Sequence, residues 1–167
     1  MAKLKAQTLQ LKRSGLIPNN EVLPVLVYDG VFAGQTEEIE RTFQRHQWSN
    51  SWTGGVLSYH HYHSNTHEVL GVKSGKADIL IGGEEGQKLS IRAGDVLVLP
   101  AGTGHKNEAA SEDFQVIGAY PNGSSFNMRK SSPEDYKQAE QEIPAVPLPG
   151  TDPVYGDSGP LLEVWYS

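Results

Sequence analysis

The chain of 167 residues has no cysteine. Disulfide staples, thiolate metal ligands and a cysteine nucleophile are therefore excluded. No apolar run is long enough to span a bilayer. The N-terminal stretch Met1-Ala2-Lys3-Leu4-Lys5-Ala6-Gln7-Thr8 lacks the apolar centre of a secretory signal, so a cytoplasmic location is expected. Excess positive charge is missing too. The formal net charge of −6 argues against nucleic acid or an anionic membrane as the main partner. No internal repeat is visible, and one domain of this length can bury an ordinary core without covalent help.

Turn chemistry is what the chain has in quantity. Gly 18 and Pro 10 cut it into short β-like runs, the pattern of an all-β sandwich or barrel. Strands are predicted at Gly55 to His63, Glu68 to Val72, Ala77 to Ile81, Lys88 to Ile91, Val96 to Leu99 and Phe114 to Tyr120. Val22 to Tyr28 is also β-rich, and Pro24 there points to an edge or to a strand start. Glu37 to Trp48 is the best helix candidate, with Thr36 as cap and Ile39 and Phe43 on one face. A second short helix is expected after Ser132-Pro133-Glu134-Asp135. The tail ends in Leu161-Leu162-Glu163-Val164-Trp165, too apolar to hang free, and should dock on the body.

Histidine spacing carries the chemistry. His61 and His63 stand at i and i+2, so an extended backbone would present both imidazoles from one face, with Leu57 and Tyr59 as neighbouring wall. His60 and Tyr62 would then face a covering segment or a subunit interface. Glu68 follows a short turn later. His105 comes after Pro100-Ala101-Gly102-Thr103-Gly104, where glycines permit a path that aims a side chain inward. Such a set, nitrogen-rich and without sulfur, suits a divalent transition metal. His67 competes with Glu68. An unbroken strand would put His67 on the ligand face, whereas a turn at Ser64-Asn65 resets the register in favour of Glu68. Asp95 reads as a turn residue, Trp52, Tyr120 and Phe126 as core, and Arg129 and Lys130 as a solvated charged loop.

The two histidine segments resemble the defining motifs of the cupin family. Gly55, His61, His63, Glu68 and Gly75 meet every position of its first motif. Gly94, Pro100, Gly102 and His105 match the second, in which Ala109 replaces a terminal Asn and Asn107 lies nearby. The run His60 to Val72 looks most like the small YjlB-type cupins. The resemblance covers roughly residues 55 to 109 and implies a single cupin-type jelly-roll barrel with short flanking helices. On this basis residues 1–50 form an N-terminal extension with an edge strand and a helix, 51–121 the barrel core, and 122–167 a C-terminal extension.

The resemblance also implies one divalent transition metal (Mn, Fe, Ni, Co, Cu or Zn) held by His61, His63, Glu68 and His105, with Glu68 the candidate catalytic carboxylate. The expected partner is a small polar or anionic metabolite, and oxygenase-type chemistry leads. A metal-dependent isomerase or a non-catalytic binding or sensor protein is the alternative. Pairing through the edge-type N-terminal strand makes a homodimer the expected assembly.

Overall fold

The computed structural model describes residues 5–167; residues 1–4, the head of the stretch read above for signal character, lie outside the described residues. Strands numbered in chain order form two sheets. The larger runs β1 (Gln7–Leu9), β2 (Val25–Tyr28), β8 (Val96–Leu99), β5 (Glu68–Ser74), β10 (Gln115–Pro121) and β3 (Trp48–Gly54). The smaller runs β11 (Arg129–Lys130), β4 (His61–Tyr62), β9 (His105–Ala110), β6 (Lys76–Ile81) and β7 (Gln87–Arg92). Every pairing is antiparallel, and the sheets close over a shared interior as a jelly roll.

Alternation along the strands decides what each face buries. Val25, Val27, Leu70, Val72, Leu97, Leu99, Ile79 and Ile81 meet inside the barrel. Leu26, Tyr28, Val69, Val96 and Val98 project to the outer face of the larger sheet, where a second core forms. That face is covered by helix α1 (Ile39–Arg45), which contributes Ile39 and Phe43, and by helix α3 (Pro160–Trp165), which contributes Leu161 and Trp165. Burial on both sides explains the unbroken apolar run Val96–Leu99. Each such side chain contributes about 1.5–3 kcal/mol. Gly71 lets α1 approach β5: a Cβ there would come within 2.6 Å of Ile39 Cγ2.

The tail docks as its composition demands. Trp165 Nε1–H donates to the carbonyl of Pro24 at 3.0 Å. The Tyr28 hydroxyl donates to Asp152 Oδ2 at 2.6 Å, and that fully buried carboxylate also accepts from the amides of Val154 and Leu161. Helix α2 (Pro133–Glu142) starts with Ser132 accepting the amide of Asp135 and Pro133 in its first turn.

Several local expectations change. The predicted helix from Glu37 to Trp48 is a 3-10 turn at Thr36–Glu38 followed by α1, and it stops early because Gln47 takes a positive φ of 64° while Trp48 is drawn into the core as the start of β3. Only His61–Tyr62 of the predicted strand Gly55 to His63 is a strand. The chain there crosses from β3, paired with β10, to β4, paired with β9, and on the way it keeps one sheet contact, the Leu57 carbonyl accepting the amide of Asn107 on β9 at 2.8 Å, too little to form a ladder. Pro24 precedes a strand start, but β2 is no edge: β1 and β8 flank it, which removes the premise of dimer pairing through that strand. No helix among the described residues is long and apolar enough to cross a membrane.

Candidate metal centre

His61 and His105 are cross-strand partners on β4 and β9, and their ring centroids lie 4.1 Å apart. His63 leaves the strand one residue later. Its carbonyl accepts the amide of Gly102 at 2.7 Å, which ties it to the glycine-rich turn that delivers His105. The three imidazoles offer nitrogens that all lie within 4.8 Å of one another, and all three rings are buried. Residues Ser64 to Thr66 form a bend, so β5 begins at Glu68 with its side chain inward. Glu68 is 2% exposed. Its Oε2 sits 3.3 Å from His63 Nε2 and its Oε1 3.5 Å from His105 Nε2.

The hydrogen bonds behind the rings fix their tautomers. His63 Nδ1–H donates to the Asn127 carbonyl at 2.5 Å, and His105 Nδ1–H donates to the Thr103 carbonyl at 3.0 Å. In their neutral forms both rings therefore turn a lone pair at Nε2 toward a carboxylate oxygen. Acceptors facing acceptors need a cation between them, a proton or a metal ion. Glu68 Oε1 and His61 Nδ1 are moreover buried without a hydrogen-bond partner. The donor set fits a borderline metal ion.

Electrostatics agree. Burial alone would raise the Glu68 carboxyl, but the adjacent His63 and His105 win and hold it well below the usual carboxylate range. Burial likewise opposes a proton on His63, yet the charge of Glu68 and its hydrogen bond raise that imidazole above its ordinary value. His61 has no such support. Burial, with His105 and His63 crowding it, lowers it to about 3.

His67 does not face the cluster. Its Nδ1 accepts the amide of Ala101 at 2.9 Å and its Nε2–H donates to the Pro147 carbonyl at 3.2 Å, with its ring 4.9 Å from that of Trp165. Both nitrogens are engaged in bracing the turn and the tail. Burial lowers this imidazole to about 4.

A cavity of about 190 Å³ opens beside the imidazoles, walled by Trp52, Val56, Leu57, Leu70, Tyr120, Phe126 and Met128. Trp52, Tyr120 and Phe126, read above as core, thus belong to the site. The Tyr120 hydroxyl donates to Glu68 Oε2 at 2.5 Å and accepts from Trp52 Nε1–H at 2.7 Å. The indole lies flat over Gly118, where a Cβ would overlap it. Phe126 stacks on Tyr120 with centroids 4.6 Å apart. Tyr62 is buried with Ile17 and Ala139 beneath α2, and His60 packs near Glu84 on the far side. Arg129 is no free charged loop: it bonds Glu142 at 2.7 Å, Asp135 at 3.1 Å and Ser64 at 3.1 Å. Asp95 does act as a turn residue, accepting the amides of Gly30 and Arg92.

The chain is 44% identical over 161 residues to the uncharacterized protein YjlB of Bacillus subtilis (strain 168), covering 96% of this chain and 97% of that protein. The cupin domain family matches residues 44–117. This chain is a cupin. Solved structures similar to this cupin include acireductone dioxygenase from Bacillus anthracis with a cadmium ion in its active centre (18% identical, TM-score 0.37, 57% of this chain and 62% of that one). A mutant oxalate decarboxylase OxdC of Bacillus subtilis is another (21% identical, TM-score 0.40, 74% of this chain and 33% of that one). Likeness at that level carries no argument about the reaction of this cupin, which rests on its own residues.

Proposed function

We propose that this cupin is a metal-dependent, oxygenase-type enzyme acting on a small polar or anionic metabolite. His61, His63, Glu68 and His105 hold one divalent transition metal, and Glu68 is also the carboxylate that handles a substrate proton. The observation that carries this reading is the confrontation of two imidazole lone pairs with the two oxygens of a buried carboxylate, an arrangement that a shared cation relieves. The bound ion supplies Lewis acidity and, as Fe, Mn or Cu, electrons for dioxygen chemistry. The carbonyls of Asn127 and Thr103 hold the rings in the metal-binding tautomer, and Tyr120 fixes the rotamer of Glu68. Apolar walls limit the entry of water.

Elemental analysis of protein purified without added metal tests the reading. We expect near-stoichiometric divalent metal in the parent, its loss in His61→Ala and His105→Ala, and an intact fold by circular dichroism. Full occupancy in either variant refutes the ligand set. Oxygen uptake with a panel of small acids, diketones and sugars tests turnover; ligand-dependent melting shifts without turnover would assign the site to binding or sensing.

A further inference from the structure

The walls of the cavity and the charge at its floor restrict what enters. Its lining contains no lysine or arginine. Three cations adjoin the site in sequence, and each is committed elsewhere. Lys106, beside His105 on β9, bonds Glu84 at 3.0 Å on the opposite face. Arg129, beside Met128, is locked between Asp135 and Glu142. Lys130, the register partner of His61, lies 5.3 Å over the Tyr59 ring. The side-chain donors of the wall are spent as well, the Trp52 N–H on Tyr120 and the Tyr120 O–H on Glu68. What remains is the apolar surface of Trp52, Val56, Leu57, Leu70, Phe126 and Met128.

Charge must therefore balance at the ion. A divalent metal with one carboxylate, Glu68, leaves a single positive charge at the buried floor of a largely apolar cavity whose mouth is formed by the partly exposed Leu57, Phe126 and Met128. One anionic oxygen function cancels it. A second negative charge would stay uncompensated beside the apolar wall, which disfavours its binding. The volume, about 190 Å³, equals about six waters and sets the size.

Resting on the metal reading above, we propose that the substrate is a small chelating monoanion with an apolar body, such as the enolate of a short diketone or hydroxyketone, and that dianions such as dicarboxylates are rejected. The polar character lies in the chelating oxygens alone. Trp52, Leu57, Phe126 and Met128 select the apolar remainder.

Acetylacetone and malonate make the test, because they have the same number of non-hydrogen atoms and the same spacing of chelating oxygens. Acetylacetone binds as its enolate, releasing a proton to the buffer, while malonate binds as a dianion. Protein loaded with Co(II), its metal content verified after gel filtration, is titrated with each while the visible cobalt bands are followed. The same titrations on free Co(II) give the intrinsic preference of the ion. We expect the protein to increase the preference for acetylacetone by about tenfold or more over that of the free ion. In Met128→Arg, which places a cation at a half-exposed position of the wall, malonate should gain about tenfold. An unaltered or reversed preference in the parent, or no gain of malonate in Met128→Arg, overturns the inference. Failure to retain Co(II) at all overturns instead the metal reading on which it rests.

Discussion

Tyr120 shows how much of this site is carried by a residue that touches no ion. Burial and the charge of Glu68 raise its hydroxyl far above the ordinary phenol range, so it stays a donor to Oε2. In Tyr120→Phe the carboxylate is freed to rotate and the Trp52 N–H loses its acceptor. Metal affinity, measured by competition with a chelator, should fall about 10- to 100-fold while the secondary structure persists. Gly118→Ala should act on the same relay from behind, because its methyl group displaces the indole. None of this was legible in the sequence. The histidines and Glu68 stood out because their spacing is unusual and their chemistry scarce. Trp52 and Tyr120 are 68 residues apart, and aromatics among short apolar strands look like any other core. Even the choice between His67 and Glu68 depended on a bend at Ser64 to Thr66 that the sequence made credible without deciding it.

At the level of elements, legibility followed burial. Val96–Leu99, whose side chains are buried on both sides of the sheet, matches the predicted strand residue for residue. Strand β3, Trp48 to Gly54, carries no strand signal in the sequence because it is an edge strand with a partly exposed, largely polar sequence, and Asn50 within it takes a positive φ of 60°. Strand β9 is silent for a similar reason, since after the buried His105 its residues are partly exposed (Lys106, Asn107) and then exposed (Glu108 to Ala110). The tail was legible from its composition, and its docking is testable. Trp165→Ala removes a buried indole and orphans the Pro24 carbonyl. It should cost about 3–5 kcal/mol in urea unfolding.

The tail also explains a pH dependence, through His67 beneath Trp165. Folding lowers this imidazole to about 4, because burial disfavours its charged form. The unfolded chain then binds the extra proton, so the stabilisation is complete above about pH 6.5 and is lost as the pH falls through the folded value. The loss is on the order of 3 kcal/mol. His61 is lowered in the same window, so the measurement must be a difference. Metal-free parent protein and His67→Gln, unfolded in urea from pH 8 to pH 4, should keep a constant separation above pH 6.5 and draw together by about 3 kcal/mol as the pH falls toward 4; a separation that stays constant over the whole range would remove His67 from the account.

The whole molecule distributes its candidate ligands unevenly. His61 and His105 belong to the smaller sheet and Glu68 to the larger one. An ion that prefers the folded chain raises its melting temperature, by the equivalent of about 4 kcal/mol at a thousandfold excess over the dissociation constant. Stripping metal with a chelator should lower Tm accordingly, and scanning calorimetry before and after re-addition checks it. Because those donors come from opposite walls, the ion would also act as a rivet through the shell. Its departure would loosen the seam between β4 and β5, and amide exchange there should quicken well before the far end of the barrel responds.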